Sequence, residues 1–132
     1  MSGAQESHLL DELDELIDES VRLRLVSDVP LGAFLSGGID SSLVAAYMMR
    51  HSKEPVRTYT IGFQDKAFDE SAFAAAVATH LGTEHTCEQL AVDDLLELMP
   101  TFVKQYDEPF FDYSAFPVMA VSRLARRSVT VS

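Results

Sequence analysis

The stretch Phe34-Leu35-Ser36-Gly37-Gly38-Ile39-Asp40-Ser41-Ser42 joins an apolar run that reads as a buried strand to one that reads as a helix. Two adjacent glycines let the backbone approach a ligand closely, and serines flank them. The first amides of the following helix have no intrahelical partners and point out of the turn. A strand, a glycine turn and a helix N-terminus in that order form a cradle for phosphate. A plain Gly-Gly turn with a capping serine or aspartate is the rival reading. It accounts less well for the strand and helix on either side.

The rest of the chain repeats the alternation. Strands are expected over 29–35, 56–63 and 83–92, and a fourth begins at 128–132. Helices are expected over 7–26, 42–51, 69–81, 93–106 and 114–127. Pro100 should kink or end the fourth of these, and Pro117 fits only the first turn of the fifth. Strands alternating with helices give a parallel α/β sheet, and right-handed crossovers place helices on both of its faces. Ligands of such sheets bind beyond the carboxyl ends of the strands. The 36–42 loop and Gly62-Phe63 both lie at such ends.

The loop matches none of the commoner glycine motifs. A Walker A loop needs a lysine before its serine or threonine, and no lysine occurs between Val29 and Arg50. The Gly-x-Gly-x-x-Gly spacing of dinucleotide binders is absent. Phe34 stands where the first glycine of a serine nucleophile elbow would be. A net charge of −11 argues against non-specific nucleic-acid binding. No run approaches the roughly 20 apolar residues of a membrane span. Cys87 is the only cysteine, so no internal disulfide can form, which suits a cytoplasmic protein.

What remains, Ser36-Gly37-Gly38-Ile39-Asp40-Ser41 after a strand, resembles the signature of the N-type ATP pyrophosphatases, the PP-loop superfamily. The likeness extends along the chain. The segment from Val26 to Ser42, Tyr59-Thr60-Ile61-Gly62-Phe63, Phe68-Asp69-Glu70-Ser71 and His80-Leu81-Gly82-Thr83-Glu84-His85 are similar to the synthetase domain of glutamine-dependent asparagine synthetases. So are Tyr106-Asp107-Glu108-Pro109-Phe110 and Ser114-Ala115-Phe116-Pro117.

The resemblance implies an ATP-dependent amide ligase. The side-chain carboxylate of aspartate would be adenylylated with release of pyrophosphate. Ammonia from glutamine would then displace AMP to give asparagine. Ser36, Gly37, Gly38, Asp40, Ser41 and Ser42 would hold the pyrophosphate, with Asp40 reaching Mg²⁺ and Asp40 and Ser36 carrying the catalytic role. Leu35 and Ile61 would border the adenine, Ile61 through strand-end backbone groups, and Gly62 would be a further cofactor-binding residue. The resemblance also implies a glutaminase domain as partner, and a homodimer is an option for the full-length enzyme. On this basis residues 1–28 lead into the domain and 29–132 form part of it. The chain would then be a fragment, without its own ammonia source or a second nucleotide loop, and inactive alone. The alternatives are another amide-forming synthetase, β-lactam synthetase-like or an amidotransferase, and a non-catalytic nucleotide-binding module.

Other residues have simpler expected roles. His85 and Cys87 share a strand face but lack the further ligands of a metal site. His8, His51 and His80 fit surface or helix-end positions. Asp69 and Glu70 read first as a helix start, where acids are favoured, and second as site residues. Asp107 and Glu108 divide evenly between turn formation and a place in the site.

Overall fold

The computed structural model describes residues 3–106, 108, 112 and 114–132. Three parallel strands, β1 (Gly32–Phe34), β2 (Arg57–Phe63) and β3 (Glu84–Leu90), form a sheet in that order. β1 pairs with β2 from Gly32↔Arg57 to Phe34↔Tyr59. β2 pairs with β3 from Arg57↔Glu84 to Phe63↔Leu90. Parallel neighbours need crossovers, and α2 (Ile39–His51) and α3 (Ser71–Leu81) supply them. Among the described residues the other helices are α1 (Gly3–Arg24), α4 (Val92–Gln105) and α5 (Ala115–Ala125).

The two-residue period of a strand divides β2 between two layers. Tyr59 and Ile61 join Phe34, Val121, Leu124 and Val129 beneath α5. Ile61 and Phe63 also meet Leu90, Leu98 and Ala120, which brings α4 to the same layer. On the opposite face Leu35 packs with Ala45 of α2 and with Ala74 and Ala78 of α3. The small side chains of α3 let it lie close to the sheet. Helices therefore cover both faces, as the alternation predicts.

α1 is held mainly by α2. Ile17, Val21 and Leu25 pack with Tyr47 and Met48, over Ala33. The Tyr47 hydroxyl donates to the Asp14 carboxylate, and Arg50 and His51 meet Asp18 at 3.2 and 2.9 Å. Leu9, Leu10, Leu13 and Leu16 of α1 remain exposed.

Several boundaries differ from the sequence reading. β1 covers only Gly32–Phe34. Val29 instead closes a turn in which its amide donates to the Ser27 hydroxyl at 3.2 Å, and Pro30 has no amide to give a ladder. α2 starts at Ile39, so the second half of the glycine loop is its first turn. α4 does not end at Pro100 but continues to Gln105. Pro100 lies on the exposed side, while Leu95, Leu98 and Phe102 on the other side pack against α5. That burial offsets the lost hydrogen bond. The expected fourth strand is a single parallel bridge, Leu31↔Val131. It is tied by Gly32 N–H to Val131 O at 2.9 Å and Thr130 N–H to Pro30 O at 3.0 Å. No described helix is long and apolar enough to cross a membrane.

Candidate functional site

The chain leaves β1 after Phe34 and turns into α2 through a loop that closes on its own hydroxyls. The Ser36 and Ser41 hydroxyls lie 2.9 Å apart. The Ser36 amide donates to Ser41 Oγ at 3.2 Å, and the Gly38 amide donates to Ser36 Oγ at 3.2 Å. Ser41 and Ser42 both donate their hydroxyls back to the Gly38 carbonyl, at 3.3 and 2.7 Å. Four of the residues named from sequence are thereby brought into one turn.

Two features shape this turn. No side chain caps α2 at Gly38, so its leading amides are not consumed by a capping oxygen. Gly37 has φ +81°, in the left-handed region that favours glycine. A Cβ at Gly37 would lie 2.6 Å from the Ala74 amide nitrogen and 2.7 Å from the Phe73 carbonyl carbon. The loop is therefore pressed against the first turn of α3.

Asp40 sits in the first turn of α2 and is exposed. Its carboxylate makes no hydrogen bond or ion pair among the described residues. No group of three or more His, Cys, Asp or Glu residues able to hold a metal occurs among them. A single carboxylate still suits Mg²⁺, which keeps several waters and is commonly shared between one or two carboxylates and substrate phosphates.

The strand ends form the adjoining wall. Leu35 is 1% exposed, and its backbone is already engaged: its amide donates to Tyr59 O at 2.9 Å and its carbonyl accepts from the Thr60 hydroxyl. Tyr59 O faces β1, so two residues on Ile61 directs its backbone groups to the same side. β1 has ended there, and Ile61 has no partner in it. Gly62 is different. It is buried under the Gln89 side chain, which a Cβ would meet at 2.0 Å, and Gln89 in turn donates to Ser71 Oγ at 3.3 Å. Gly62 thus serves packing between β2 and β3 and does not line the cavity beside the loop.

That cavity, of about 280 Å³, is lined by Ser36 and Ser41 of the loop and by Phe34, Leu35, Tyr59, Thr60, Ile61 and Phe63 from the strands and their ends. Phe68, Pro117, Val118 and Val121 complete it, and Glu70 is its one charged lining residue among those described. The sequence reading missed the α5 residues, because nothing local marks Val118 and Val121 as neighbours of a loop so far back in the chain. A larger, mainly apolar cavity of about 740 Å³ lies between the β2–α3 loop, α4 and α5, and shares Phe63, Phe68, Glu70 and Pro117 with the first.

Asp69 closes the start of α3 and is absent from both linings. Its carboxylate accepts from the Ser71 amide at 3.1 Å and the Phe63 amide at 3.3 Å. Hydrogen bonds from Ser71 hold it below the usual carboxylate range. On β3, His85 Nδ1 meets the Thr58 hydroxyl at 3.0 Å, while its Nε2 is buried without a partner among the described residues. Desolvation pushes the imidazole pKa down. Asp107 lies outside the described residues, and exposed Glu108 is in neither cavity lining.

A family model described as asparagine synthase matches residues 12–132. A Methanocaldococcus jannaschii protein provisionally named asparagine synthetase [glutamine-hydrolyzing] 2 is 41% identical over 124 residues, covering 93% of this chain and 24% of that protein. Asparagine synthetase [glutamine-hydrolyzing] 1 of Bacillus subtilis is 33% identical over 128 residues, covering 97% of this chain and 20% of that protein. The chain thus spans about a quarter or less of the length of these relatives. An NH3-dependent NAD synthetase from Campylobacter jejuni, solved in complex with nitrate, has the same fold. Its TM-score is 0.59 at 20% identity, over 92% of this chain and 54% of that one.

Proposed function

The chain belongs to the asparagine synthase family, and from that membership we propose that its 36–42 loop holds the pyrophosphate end of ATP during adenylylation of a carboxylate. The observation that carries this reading is the loop itself. Ser36 and Ser41 meet at the uncapped N-terminus of α2, at the carboxyl edge of a parallel sheet and beside a mainly apolar cavity. The amides of Gly37, Ile39, Asp40 and Ser41 supply donors, the hydroxyls of Ser36, Ser41 and Ser42 can turn to the ligand, and the helix dipole favours the anion. Fixed donors of this kind position the phosphates and stabilise charge that moves onto the leaving pyrophosphate.

Ile61 would meet the adenine through its strand-end N–H and C=O, and Leu35, buried against α2 and α3 with its backbone occupied, would hold the strand end in place beside it. Asp40 would hold Mg²⁺ at the phosphates. Bound there, the ion would neutralise phosphate charge. The acceptor in this reading is the side-chain carboxylate of aspartate. Its attack on the α-phosphorus expels pyrophosphate, and ammonia released from glutamine by a glutaminase domain displaces AMP to form asparagine.

Calorimetry of the chain with Mg·ATP, on wild type and Asp40→Ala, tests the assignment. Removing a charged contact should weaken Mg·ATP binding on the order of tenfold or more. Equal binding by both proteins would remove Asp40 from the metal site. No binding by wild type would count against the loop's role.

A further inference from the structure

The cavity beside the loop has polar groups at two places. On the loop are the Ser36 and Ser41 hydroxyls, already paired with each other. Glu70, at the N-cap of α3, is the one charged group in the described lining. Thr60 is there too, but its hydroxyl donates to the Leu35 carbonyl. Glu70 also borders the larger cavity, so it stands where the two meet.

Its backbone is fixed relative to the loop. The Glu70 carbonyl accepts from the Phe73 and Ala74 amides at 3.0 and 3.1 Å and so anchors the first turn of α3. Gly37 lies against that same turn, with no room for a Cβ beside Ala74 N. Loop and Glu70 thus meet through the backbone of the first turn of α3. The side chain itself is exposed, and it has no hydrogen bond or ion pair among the described residues.

A carboxylate on this wall cannot favour phosphate, because like charges repel. It is an acceptor only, so it suits a ligand group that offers donors. In a nucleotide with its phosphates on the loop, two kinds of group can donate: the sugar hydroxyls and an exocyclic base amine. The strand-end carbonyl of Ile61 offers the base an acceptor, which leaves the sugar for Glu70. Resting on the nucleotide reading above, we propose that Glu70 accepts hydrogen bonds from the ribose hydroxyls and makes the site selective for a ribonucleotide.

Calorimetry of the full chain with ATP, 2′-deoxy-ATP, 3′-deoxy-ATP and inosine triphosphate tests this, each with Mg²⁺, on wild type and Glu70→Ala. Wild type should prefer ATP to at least one deoxy analogue by about tenfold, the scale of one charge-assisted hydrogen bond. In Glu70→Ala that preference should vanish, because ATP weakens and the deoxy analogue does not. Glu70→Gln keeps an acceptor oxygen without the charge, and should fall between the two. The substitutions leave the Glu70 carbonyl in place, and a circular-dichroism melt matching wild type checks that α3 is intact. Unchanged sugar preference in Glu70→Ala overturns the proposal while leaving the nucleotide reading standing. So does a preference for ATP over inosine triphosphate that Glu70→Ala alone abolishes, since it would assign Glu70 to the base. Failure of wild type to bind ATP overturns both.

Discussion

Gly37 and Ala74 lie so close that a Cβ on the glycine would stand 2.6 Å from the alanine's amide nitrogen. The contact joins the loop that follows β1 to the helix that follows β2. It fixes the site's geometry through backbone, where side chains cannot yield.

Gly37→Ala should therefore be costly on two counts. The substituted residue would hold φ +81°, and its methyl would overlap the α3 backbone. Left-handed strain costs roughly 1–2 kcal/mol and overpacking roughly 1–3 kcal/mol. A loss of about 2–5 kcal/mol in urea unfolding is expected. Gly82→Ala is the control. Gly82 has φ +74° but nothing within 4 Å of an added Cβ, so only the strain remains.

Tyr59→Phe tests how the C-terminal segment is held. The Tyr59 hydroxyl lies 2.7 Å from Ser128 Oγ, and Arg57 donates to the Ser128 carbonyl at 2.9 Å. Loss of one hydrogen bond should cost about 1 kcal/mol. Amide exchange should quicken at Gly32 and Thr130, whose N–H groups bridge β1 and the tail. Unchanged exchange there would show that Arg57 and the bridge suffice.

His85 gives the stability a pH dependence. Desolvation lowers its pKa in the folded state from the ordinary 6.5, so the unfolded chain binds a proton more readily. Its contribution is fully present above 6.5 and is lost as pH falls through the lower folded value. Urea midpoints should decline on acidification from neutral pH, and the decline should be shallower in His85→Gln. A slope unaffected by that substitution would assign the effect to other groups.

Much of the fold was legible because β2, α3 and the glycine loop each carry a local pattern. The β-formers of 56–63, the alanines before Gly82 and the paired glycines need no distant partner to be recognised. What escaped depends on contacts between separated segments. Pro100 looks like a stop until Leu98 and Phe102 are seen packed on α5. Gly62, placed at a strand end, reads as a site residue until Gln89 is found lying across it. Glu70 reads first as a helix-start acid, and only the fold places it on the wall of the loop's cavity. Val118 and Val121 reach that wall from α5 by a route no motif records.

The 36–42 loop is central as the proposed holder of pyrophosphate. The most direct measurement is an amide NMR titration of the chain with magnesium pyrophosphate, on wild type and Ser41→Ala. The account predicts saturable shifts at Gly37, Gly38, Ile39, Asp40 and Ser41, with affinity reduced about tenfold in Ser41→Ala, where Ser36 loses its hydroxyl partner. Shifts scattered over other surfaces, or the same affinity in both proteins with no shift in the loop, would contradict it.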